Sequence, residues 1–335
     1  MKRRELFKSA FKTSLGFSAG VIGMSAIKPL YANDSMVMKA FPMYDVPVTK
    51  VTDSCYYILA KDPEPSPENH AFFNNPGFVV TSKGVVVIDT GSSVQIGEMV
   101  LRQIKKVTDK PVVMVINTHY HGDHFLGNHA FAAAYPNVDI YSHPATIENI
   151  KSGGGDFWIS FMQRNSDDGI SGTIVTLPNK TFNGGEVFEV GDKTFKIHYF
   201  GKAHTEADLI IEVVEDKVAF MGDTAMRRVA NMADGSFLGS IEAMKKAKAL
   251  NCDHYIVGHG VHDGASICQD MQTFCEHIYH NAVEYYDEGL SDFEMKPKIL
   301  AKPFMRDVAS QWPGFDKTVG VFISTAVAEV EENMF

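Results

Sequence analysis

The sequence has few cysteines and no long apolar run, and each lack argues against a class of protein. Its 335 residues contain four cysteines, Cys55, Cys252, Cys268 and Cys275. These are too few and too widely spaced to suggest a disulfide framework. No uncharged stretch reaches the roughly 20 apolar residues that span a bilayer. We therefore expect a soluble protein with free cysteines and without stable membrane insertion.

Positive charge is scarce outside the N-terminus. The formal net charge is −10, but the first 32 residues carry six Lys and Arg against the single Glu5, so the remainder carries −15. Nucleic-acid binding requires clustered Lys and Arg to neutralise phosphates. We therefore predict a small-molecule substrate and no nucleic-acid partner, while the sequence leaves the oligomeric state open.

The basic N-terminus has the order of an export signal. Lys2-Arg3-Arg4 precede an uncharged stretch from Thr13 to Ile27 that is rich in Gly, Ala and Ser. A basic region followed by a short apolar region is typical of a signal peptide. The twin arginine resembles the twin-arginine signal, which is a receptor-read address. We predict that residues 1–32 are a removable signal for export to the periplasm. The alternative is an ordinary basic N-terminus of a cytosolic protein.

Strand and helix patterns alternate from residue 46 onward. The β-branched run Val46–Leu59 predicts strand, and Val94–Val107 has apolar residues at helical spacing. The all-apolar Val112–Ile116 that follows predicts a buried strand. Further strands and helices repeat this alternation as far as Val257. The pattern predicts an α/β domain over residues 40–263, with two packed sheets flanked by helices.

The chain after residue 263 is mainly helical in its pattern. Gln269–Asp287 carries apolar side chains at i, i+3 and i+4, which is the spacing of an amphipathic helix. We predict that residues 264–335 form a helical extension that packs on the preceding domain instead of folding as a separate domain.

The densest group of metal-ligand residue types follows the predicted strand Val112–Ile116. His119, His121, Asp123 and His124 lie within six positions. Imidazole and carboxylate groups bind zinc and neighbouring divalent metals, and a loop at a strand end lets several side chains converge. His119 and His121 project to the same side of an extended segment and can share one ion, while Asp123 and His124 can take a second. A single His-x-His pair would often be chance, but a cluster of this density favours a metal site.

This motif resembles the His-x-His-x-Asp-His signature of the metallo-β-lactamase superfamily. The resemblance covers roughly residues 46–260 and implies a four-layer αββα sandwich. It implies three further ligands that also follow predicted strands, namely His204, Asp223 and His259. Asp89, in the sequence Val-Ile-Asp-Thr-Gly, matches a family position where a buried aspartate supports the metal loop.

The same resemblance implies a dinuclear centre. Two metal ions are expected, usually zinc, with iron or manganese as alternatives. By the family pattern, His119, His121 and His204 would hold the first ion, Asp123, His124 and His259 the second, and Asp223 would bridge them. Metal binding lowers the pKa of water from 15.7 to about 7. The expected reaction is therefore hydrolysis of an ester, thioester, lactone or β-lactam bond by a metal-bound hydroxide that Asp123, the predicted catalytic residue, would orient.

Residues beside the ligands in sequence are candidates for supporting roles. Asp89, Thr205 and Asp208 could accept a hydrogen bond from a ligand ring, because a ligating histidine usually donates its other N–H to an oxygen. Four further residues are candidates for substrate contact because they lie close to ligands in sequence: Tyr120, Asn128, Lys202 and His262.

Three aromatic residues follow a run of three glycines. Phe157, Trp158 and Phe161 come directly after Gly153-Gly154-Gly155. Flexible glycines before an apolar segment suggest a mobile lid over the site, while an ordinary place in the core is equally compatible with the pattern.

The branch within the superfamily is narrowed by one ligand. The commonest subclass of class B β-lactamases places a cysteine where this chain has Asp223, so the ligand set is closer to that of glyoxalase II. The basic glutathione-binding residues of glyoxalase II are not identifiable in the acidic C-terminal segment. The alternatives are an iron-dependent oxidoreductase similar to persulfide dioxygenases, and a metal-binding protein without catalysis. Flavo-diiron reductases are disfavoured by His121 and by the lack of a flavodoxin module.

Overall fold

The computed structural model of the chain describes residues 38–229 and 232–334. The predicted export signal, residues 1–32, lies outside the described residues and stays a prediction. Within the described part of the chain, no helix combines the length and the apolar character needed to cross a membrane. All four cysteines are buried and unpaired.

The strands form two sheets. The first sheet has seven strands in chain order, antiparallel up to the fourth and parallel beyond it. The second has five, in the order β12-β11-β10-β9-β8, and only its β11/β12 pair is parallel. The strands of the first sheet are β1 (Val48–Lys50), β2 (Cys55–Ile58), β3 (Gly77–Val80), β4 (Val85–Ile88), β5 (Val112–Ile116), β6 (Asp139–Ser142) and β7 (Lys180–Thr181). Those of the second are β8 (Val187–Val190), β9 (Lys193–Tyr199), β10 (Leu209–Val213), β11 (Val218–Phe220) and β12 (His254–Ile256).

Helices lie between the strands and continue after them. Within the domain, the described residues form α1 (Val94–Val107), α2 (Gly122–Phe125), α3 (Asn128–Ala134), α4 (Pro144–Asn149), α5 (Gly155–Asn165) and α6 (Phe237–Ala249). After β12 come α7 (Ser266–Asp287), α8 (Asp292–Leu300), α9 (Pro303–Asp307) and α10 (Phe315–Asn333). A π-helical turn, Ile150–Gly154, joins α4 to α5.

The two sheets pack face to face through alternate strand residues. Val86 and Ile88 of the first sheet share one buried cluster with Ile211 and Phe220 of the second. Because successive side chains of a strand point to opposite faces, the residues between them face outward and need a second cover. Each fully buried aliphatic or aromatic side chain contributes roughly 1.5–3 kcal/mol to the stability of this arrangement.

Helices supply that second cover on both outer faces. Val87 of the first sheet packs in a cluster with Ile96 of α1. On the other side, Ala219 and Tyr255 of the second sheet pack with Met244 of α6. The layers are therefore helix, sheet, sheet and helix, which confirms the predicted fold class.

The helices after residue 264 share the hydrophobic cluster of the second sheet's outer layer. The Phe322 ring of α10 lies 6.0 Å from that of Phe237 in α6 and 5.6 Å from that of Phe274 in α7. All three side chains are buried in one cluster. The C-terminal helices are thus packed on the sandwich, while the exact domain boundary remains a prediction.

Some elements match their predicted bounds and others were missed. Helix Val94–Val107 and strand Val112–Ile116 have the bounds that the pattern predicts. The α4–α5 segment was not predicted as helical, because its run of three glycines is typical of a loop. Gly153 does break the helical path, at φ 113°, but the chain turns helical again from Gly155.

Candidate metal centre

The predicted ligands converge because each follows a strand that ends at the same edge of the sandwich. The first four follow β5, and the remaining three follow β9, β11 and β12. All seven side chains are buried, and they form two groups. Within each group, the potential ligand atoms lie within 4.8 Å of one another. The first group is His119, His121, His204 and Asp223, and the second is Asp123, His124 and His259.

In the first group, three imidazoles and a carboxylate face one point. His204 Nε2 lies 3.1 Å from His121 Nδ1 and 3.5 Å from Asp223 Oδ2. The ring of His119 is 4.7 Å from that of His121 and 5.1 Å from that of His204, between centroids. This is the donor set that zinc and similar divalent metals take in proteins.

Asp223 also reaches the second group. In that group Asp123 Oδ2 lies 3.3 Å from His124 Nε2 and 3.2 Å from His259 Nε2. Asp223 places Oδ1 3.2 Å from His124 Nε2 and Oδ2 3.1 Å from His259 Nε2. Its carboxylate therefore stands between the two groups, where a bridging ligand would be.

The spacing and the unused atoms of the centre fit two cations. Donors that share a tetrahedral ion at about 2.0–2.1 Å lie roughly 3.3 Å apart, close to the separations seen here. His119 Nε2 is buried without a hydrogen-bond partner among the described residues, and His124 Nε2 and Asp223 Oδ1, although 3.2 Å apart, are also buried and form no hydrogen bond of normal geometry. A buried polar atom without a partner costs about 1–3 kcal/mol, so these atoms indicate a ligand that the protein itself does not supply.

Hydrogen bonds behind the centre fix which ring nitrogen faces it. Asp89 accepts from His124 Nδ1 at 2.7 Å and from the backbone N and Oγ1 of Thr118 at 2.8 and 2.9 Å. Since the Thr118 hydroxyl donates to Asp89, it accepts from His119 Nδ1, 3.0 Å away. His259 Nδ1 donates to the carbonyl of Phe73 at 2.6 Å. In each of these three rings Nδ1 is engaged behind the centre, so Nε2 is the nitrogen that faces it.

Asp89 occupies this position in a left-handed backbone conformation, with φ 57°. A non-glycine residue in this region is uncommon and is retained where the surroundings determine it. Here three hydrogen bonds to one carboxylate do so, which agrees with the predicted supporting role of Asp89.

The protonation states differ between the two groups of predicted ligands. Burial lowers the pKa of His119 well below its ordinary value and that of His204 to about 3, so both rings are neutral at pH 7. Burial raises the pKa of Asp123 and Asp223, but the imidazoles beside them outweigh this effect and hold both pKa values well below the ordinary range. Burial lowers the pKa of His124 and His259, but the carboxylates beside them outweigh this effect, so the pKa of His124 is well above its ordinary value and that of His259 is raised. Because metals bind neutral imidazoles, an ion in the second group would displace a proton from each of these two rings.

Gly258 lets the chain approach the centre closely. A Cβ atom at this position would lie 2.1 Å from Asp223 Oδ1 and 2.9 Å from His124 Cε1. Its N–H donates to the carbonyl of Gly222 at 2.7 Å, which joins the loops that carry Asp223 and His259. Any side chain at residue 258 would displace a ligand.

A cavity of about 250 Å³ opens directly on the centre. Trp158 and Phe161 of α5 form its apolar side together with Phe73, and the Trp158 ring lies 4.9 Å from that of His121. Phe157, the third aromatic of the predicted lid, is exposed. The cavity is lined by Pro63, Glu64, Pro65, Phe73, His121, Asp123, Trp158, Phe161, Asn165, His204, Asp223, Arg228, Val229, His259, Gly314 and Thr318.

The four residues predicted to contact substrate lie elsewhere. Tyr120 and Lys202 line a neighbouring pocket of about 500 Å³. Asn128 is fully buried, and its amide group exchanges hydrogen bonds with Asn117. His262 Nδ1 lies 3.2 Å from a tyrosine hydroxyl on β2. Closeness in sequence did not identify the lining of the cavity.

Thr205 and Asp208 support the centre less directly than Asp89 does. Asp208 accepts from the backbone N of Thr205 at 2.8 Å and from its hydroxyl at 2.9 Å. Burial raises the pKa of Asp208 to about 6. These bonds hold the turn that follows His204, so the pair positions that ligand through the backbone.

Sequence reasoning missed several residues around the centre. Asp234 Oδ2 lies 3.5 Å from His121 Nε2, on the side of the ring away from His204. Arg228, Glu64 and Thr318 line the cavity although each is distant in sequence from the first motif. The pair Arg227-Arg228, four and five residues after a predicted ligand in an acidic chain, was the one available signal.

Comparison with known proteins agrees with this arrangement. Residues 71–259 match the family described as the metallo-beta-lactamase superfamily. A linear primary-alkylsulfatase from a Pseudomonas species is 33% identical over 76 residues, which are 22% of this chain and 14% of that protein. A metallo-beta-lactamase type 2 from Elizabethkingia meningoseptica is 26% identical over 199 residues, which are 55% of this chain and 68% of that protein. The chain thus spans a small part of the first relative and about two thirds of the second.

Solved structures share the fold. A metallo-beta-lactamase from Pontibacter korlensis matches with a TM-score of 0.57 at 18% identity, over 69% of this chain and 99% of that one. A metallo-beta-lactamase from Hirschia baltica matches with a TM-score of 0.54 at 18% identity, over 69% of this chain and 98% of that one. At this identity the likeness shows the fold alone.

Proposed function

This chain belongs to the metallo-β-lactamase superfamily, and from this premise we propose that it is a hydrolase with a dinuclear zinc centre. The observation that carries the proposal is the position of Asp223, whose two oxygens lie within 3.5 Å of ring nitrogens from both groups of ligands. Such a carboxylate suits two ions that act together.

The geometry suggests how the ligands would be divided between the two ions. His119, His121 and His204 would hold one ion, and Asp123, His124 and His259 the other. Bound divalent cations supply Lewis acidity toward the scissile bond and lower the pKa of water, so that a nucleophile is available at neutral pH.

The chain's own groups would complete the reaction. Asp123 lines the cavity, and we propose that its carboxylate orients the nucleophile and accepts its proton. Trp158 and Phe161 cover one side of the cavity and limit the access of bulk water. Asp89 keeps the His124 ring in the orientation that the centre requires.

The bond that is cleaved is proposed as a class. An ester, thioester, lactone or β-lactam would place a carbonyl carbon within reach of the nucleophile. The relative named as an alkylsulfatase adds a sulfate ester to the bonds that should be tested. The aspartate at residue 223 favours the glyoxalase II-like branch over the commonest β-lactamase subclass.

The test combines metal content with turnover. We expect about two zinc ions per chain by elemental analysis, and hydrolysis of at least one of a chromogenic cephalosporin, a lactone, a thioester and an alkyl sulfate. His121→Ala should lose metal and reduce turnover by about 10³-fold, because metal stabilisation of the transition state is worth several kcal/mol. The control is His280→Ala, an exposed histidine of α7.

Two other outcomes would replace this proposal. A single iron per chain without hydrolysis would move the protein to the persulfide dioxygenase-like branch. Two metal ions with no hydrolysis of any of the four bonds, and no effect of Asp123→Ala, would favour a metal-binding protein without catalysis.

A further inference from the structure

The C-terminal helices contribute a wall of the cavity that the family match does not include. The match ends at residue 259, yet Gly314 and Thr318, at the start of α10, line the cavity beside the metal centre. Val229 donates its backbone N–H to the carbonyl of Pro313 at 2.9 Å. A Cβ on Gly314, which has φ 81°, would lie 2.1 Å from the carbonyl oxygen of Val229. The extension therefore fixes the loop that contains Val229.

That loop carries the one arginine among the described residues that line the cavity, and no carboxylate of the described protein pairs with it directly. Arg228 is partly buried, and its guanidinium lies 5.6 Å from the centre of the Phe73 ring. The guanidinium interacts electrostatically, at longer range, with the carboxylates of Asp223, Asp123 and Glu64. Among the described residues, none forms an ion pair or hydrogen bond with it.

The neighbouring arginine is a useful contrast. Arg227 donates to Asp270 at 2.7 Å and to Asp263 at 2.8 Å, which ties the same loop to α7. One arginine of the pair is thus neutralised within the protein. Arg228 instead presents five potential N–H donors to the cavity edge without a protein acceptor.

We propose that Arg228 is a specificity-determining residue that binds an anionic oxygen group of the substrate, and that the C-terminal extension holds it in place. This inference rests on the proposed function, because the anionic group would belong to the same substrate that is hydrolysed in this cavity. A guanidinium binds planar oxyanions through paired, charge-assisted hydrogen bonds. The aromatic side formed by Phe73, Trp158 and Phe161 suits an apolar body. The substrate class is then a small acid, a carboxylate or sulfo-oxyanion with an apolar group.

Binding of inert probes tests this without relying on turnover. We would measure, by calorimetry on the zinc-loaded protein, the affinities of phenylmethanesulfonate and of its neutral analogue benzyl methyl sulfone. The wild type should prefer the anion by about tenfold, as expected for a charge-assisted pair. Phenylacetate against phenylacetamide, measured in the same way, separates a carboxylate preference from a sulfo-oxyanion preference.

The preference should depend on residue 228. Arg228→Met should abolish it while leaving the affinity for the sulfone and the zinc content unchanged, and Arg228→Lys should retain part of it. Arg164→Met, which removes an exposed arginine from α5, is the matched control. A wild type without anion preference, or a preference that survives in Arg228→Met, would overturn the proposal.

The role of the C-terminal extension is tested by a second pair of variants. Gly314→Ala should weaken the anion preference because its Cβ meets the Val229 carbonyl. Gly289→Ala has a similar φ of 87° but no atom within 4 Å of its Cβ, so it controls for backbone strain. An equal loss of preference in both variants would contradict a positioning role for residues 313–314. Because none of these probes contains an ester, thioester, lactone, β-lactam or sulfate ester bond, failure of the proposed hydrolase activity would leave this result intact, and the reverse also holds.

Discussion

The metal centre and the wall of the cavity are built in different ways. The seven predicted ligands lie a few residues beyond strand ends, and hydrogen bonds from three of their rings to Asp89, Thr118 and Phe73 fix those rings from behind. The wall is assembled from short segments that are far apart in sequence, including α5, the Arg228 loop and the start of α10. We therefore expect changes in the centre to affect metal binding, and changes in the wall to affect substrate preference.

The largest effect is expected where the backbone touches the centre. Gly258→Ala would place a Cβ 2.1 Å from Asp223 Oδ1, so the carboxylate or the loop must move. A misplacement of about 1 Å in a catalytic group can reduce turnover by about 10²-fold. Gly264→Ala is the control, because its nearest atom would be 3.8 Å away. Zinc content and turnover of both variants check this, and a Gly258→Ala enzyme with normal zinc and activity would contradict it.

Removing the hydrogen bond behind a ligand should have the next largest effect. Asp89→Asn keeps the size of the side chain but loses the charged acceptor of His124 Nδ1. Loss of such a support typically weakens metal affinity by about 10–100-fold. Competition with a chromogenic chelator measures it, with the half-exposed Asp139→Asn as control. Equal affinity in Asp89→Asn and the wild type would show that the ring needs no support from this aspartate.

Local sequence was sufficient to predict the first motif because strand periodicity and ligand type are both local properties, whereas the remaining ligands were implied by the family resemblance. His204, Asp223 and His259 were predicted from the strands that precede them together with the family pattern, and the structure brings them together. The supporting role of Asp89 was also predicted from the family pattern and stays a prediction, although its carboxylate accepts a hydrogen bond from His124 Nδ1. The assignment of each residue as a ligand remains a prediction until metal is measured.

The wall could not be predicted by the same reasoning. Asn128 is four residues after a ligand, but α3 turns its side chain into the protein, where it pairs with Asn117. Thr318 reaches the cavity through a tertiary contact, because the extension packs on the second sheet. Arg228 precedes Val229, whose N–H donates to the carbonyl of Pro313 in that extension. Sequence distance from a motif says little about which side chains face a cavity.

A change in the aromatic wall should leave the metal in place. Trp158→Ala removes an indole that contacts both the cavity and the His121 ring. We expect KM for an apolar substrate to rise by about tenfold, since a buried aromatic contributes roughly 1.5–3 kcal/mol, with little change in zinc content. Phe157→Ala, which removes an exposed aromatic of the same helix, is the control. Loss of zinc in Trp158→Ala would show that centre and wall are not separable here.

The smallest effect should come from the ion pairs that anchor the wall at the surface. The hydrogen bond from Arg227, followed by those from the Gly264 backbone and Ser266, lowers the pKa of Asp263 to about 2 from its ordinary 3.8. Because the folded-state pKa is depressed, the resulting stabilisation is present above pH 3.8 and is lost as the pH falls through about 2. The Asp263 side chain is 45% exposed, so solvent screening should limit this contribution to less than about 1 kcal/mol.

Denaturant unfolding of Asp263→Asn beside the wild type measures this anchor. The free energies of unfolding should differ by a small, constant amount from pH 7 to about 4 and converge toward pH 2. Metal release at low pH affects both proteins and cancels in the difference. A difference that persists at pH 2 would mean that the charge of Asp263 is not what stabilises the loop. A small effect here, beside the large one expected at Gly258, would show that the wall depends on weak, exposed contacts and can change without disturbing the centre.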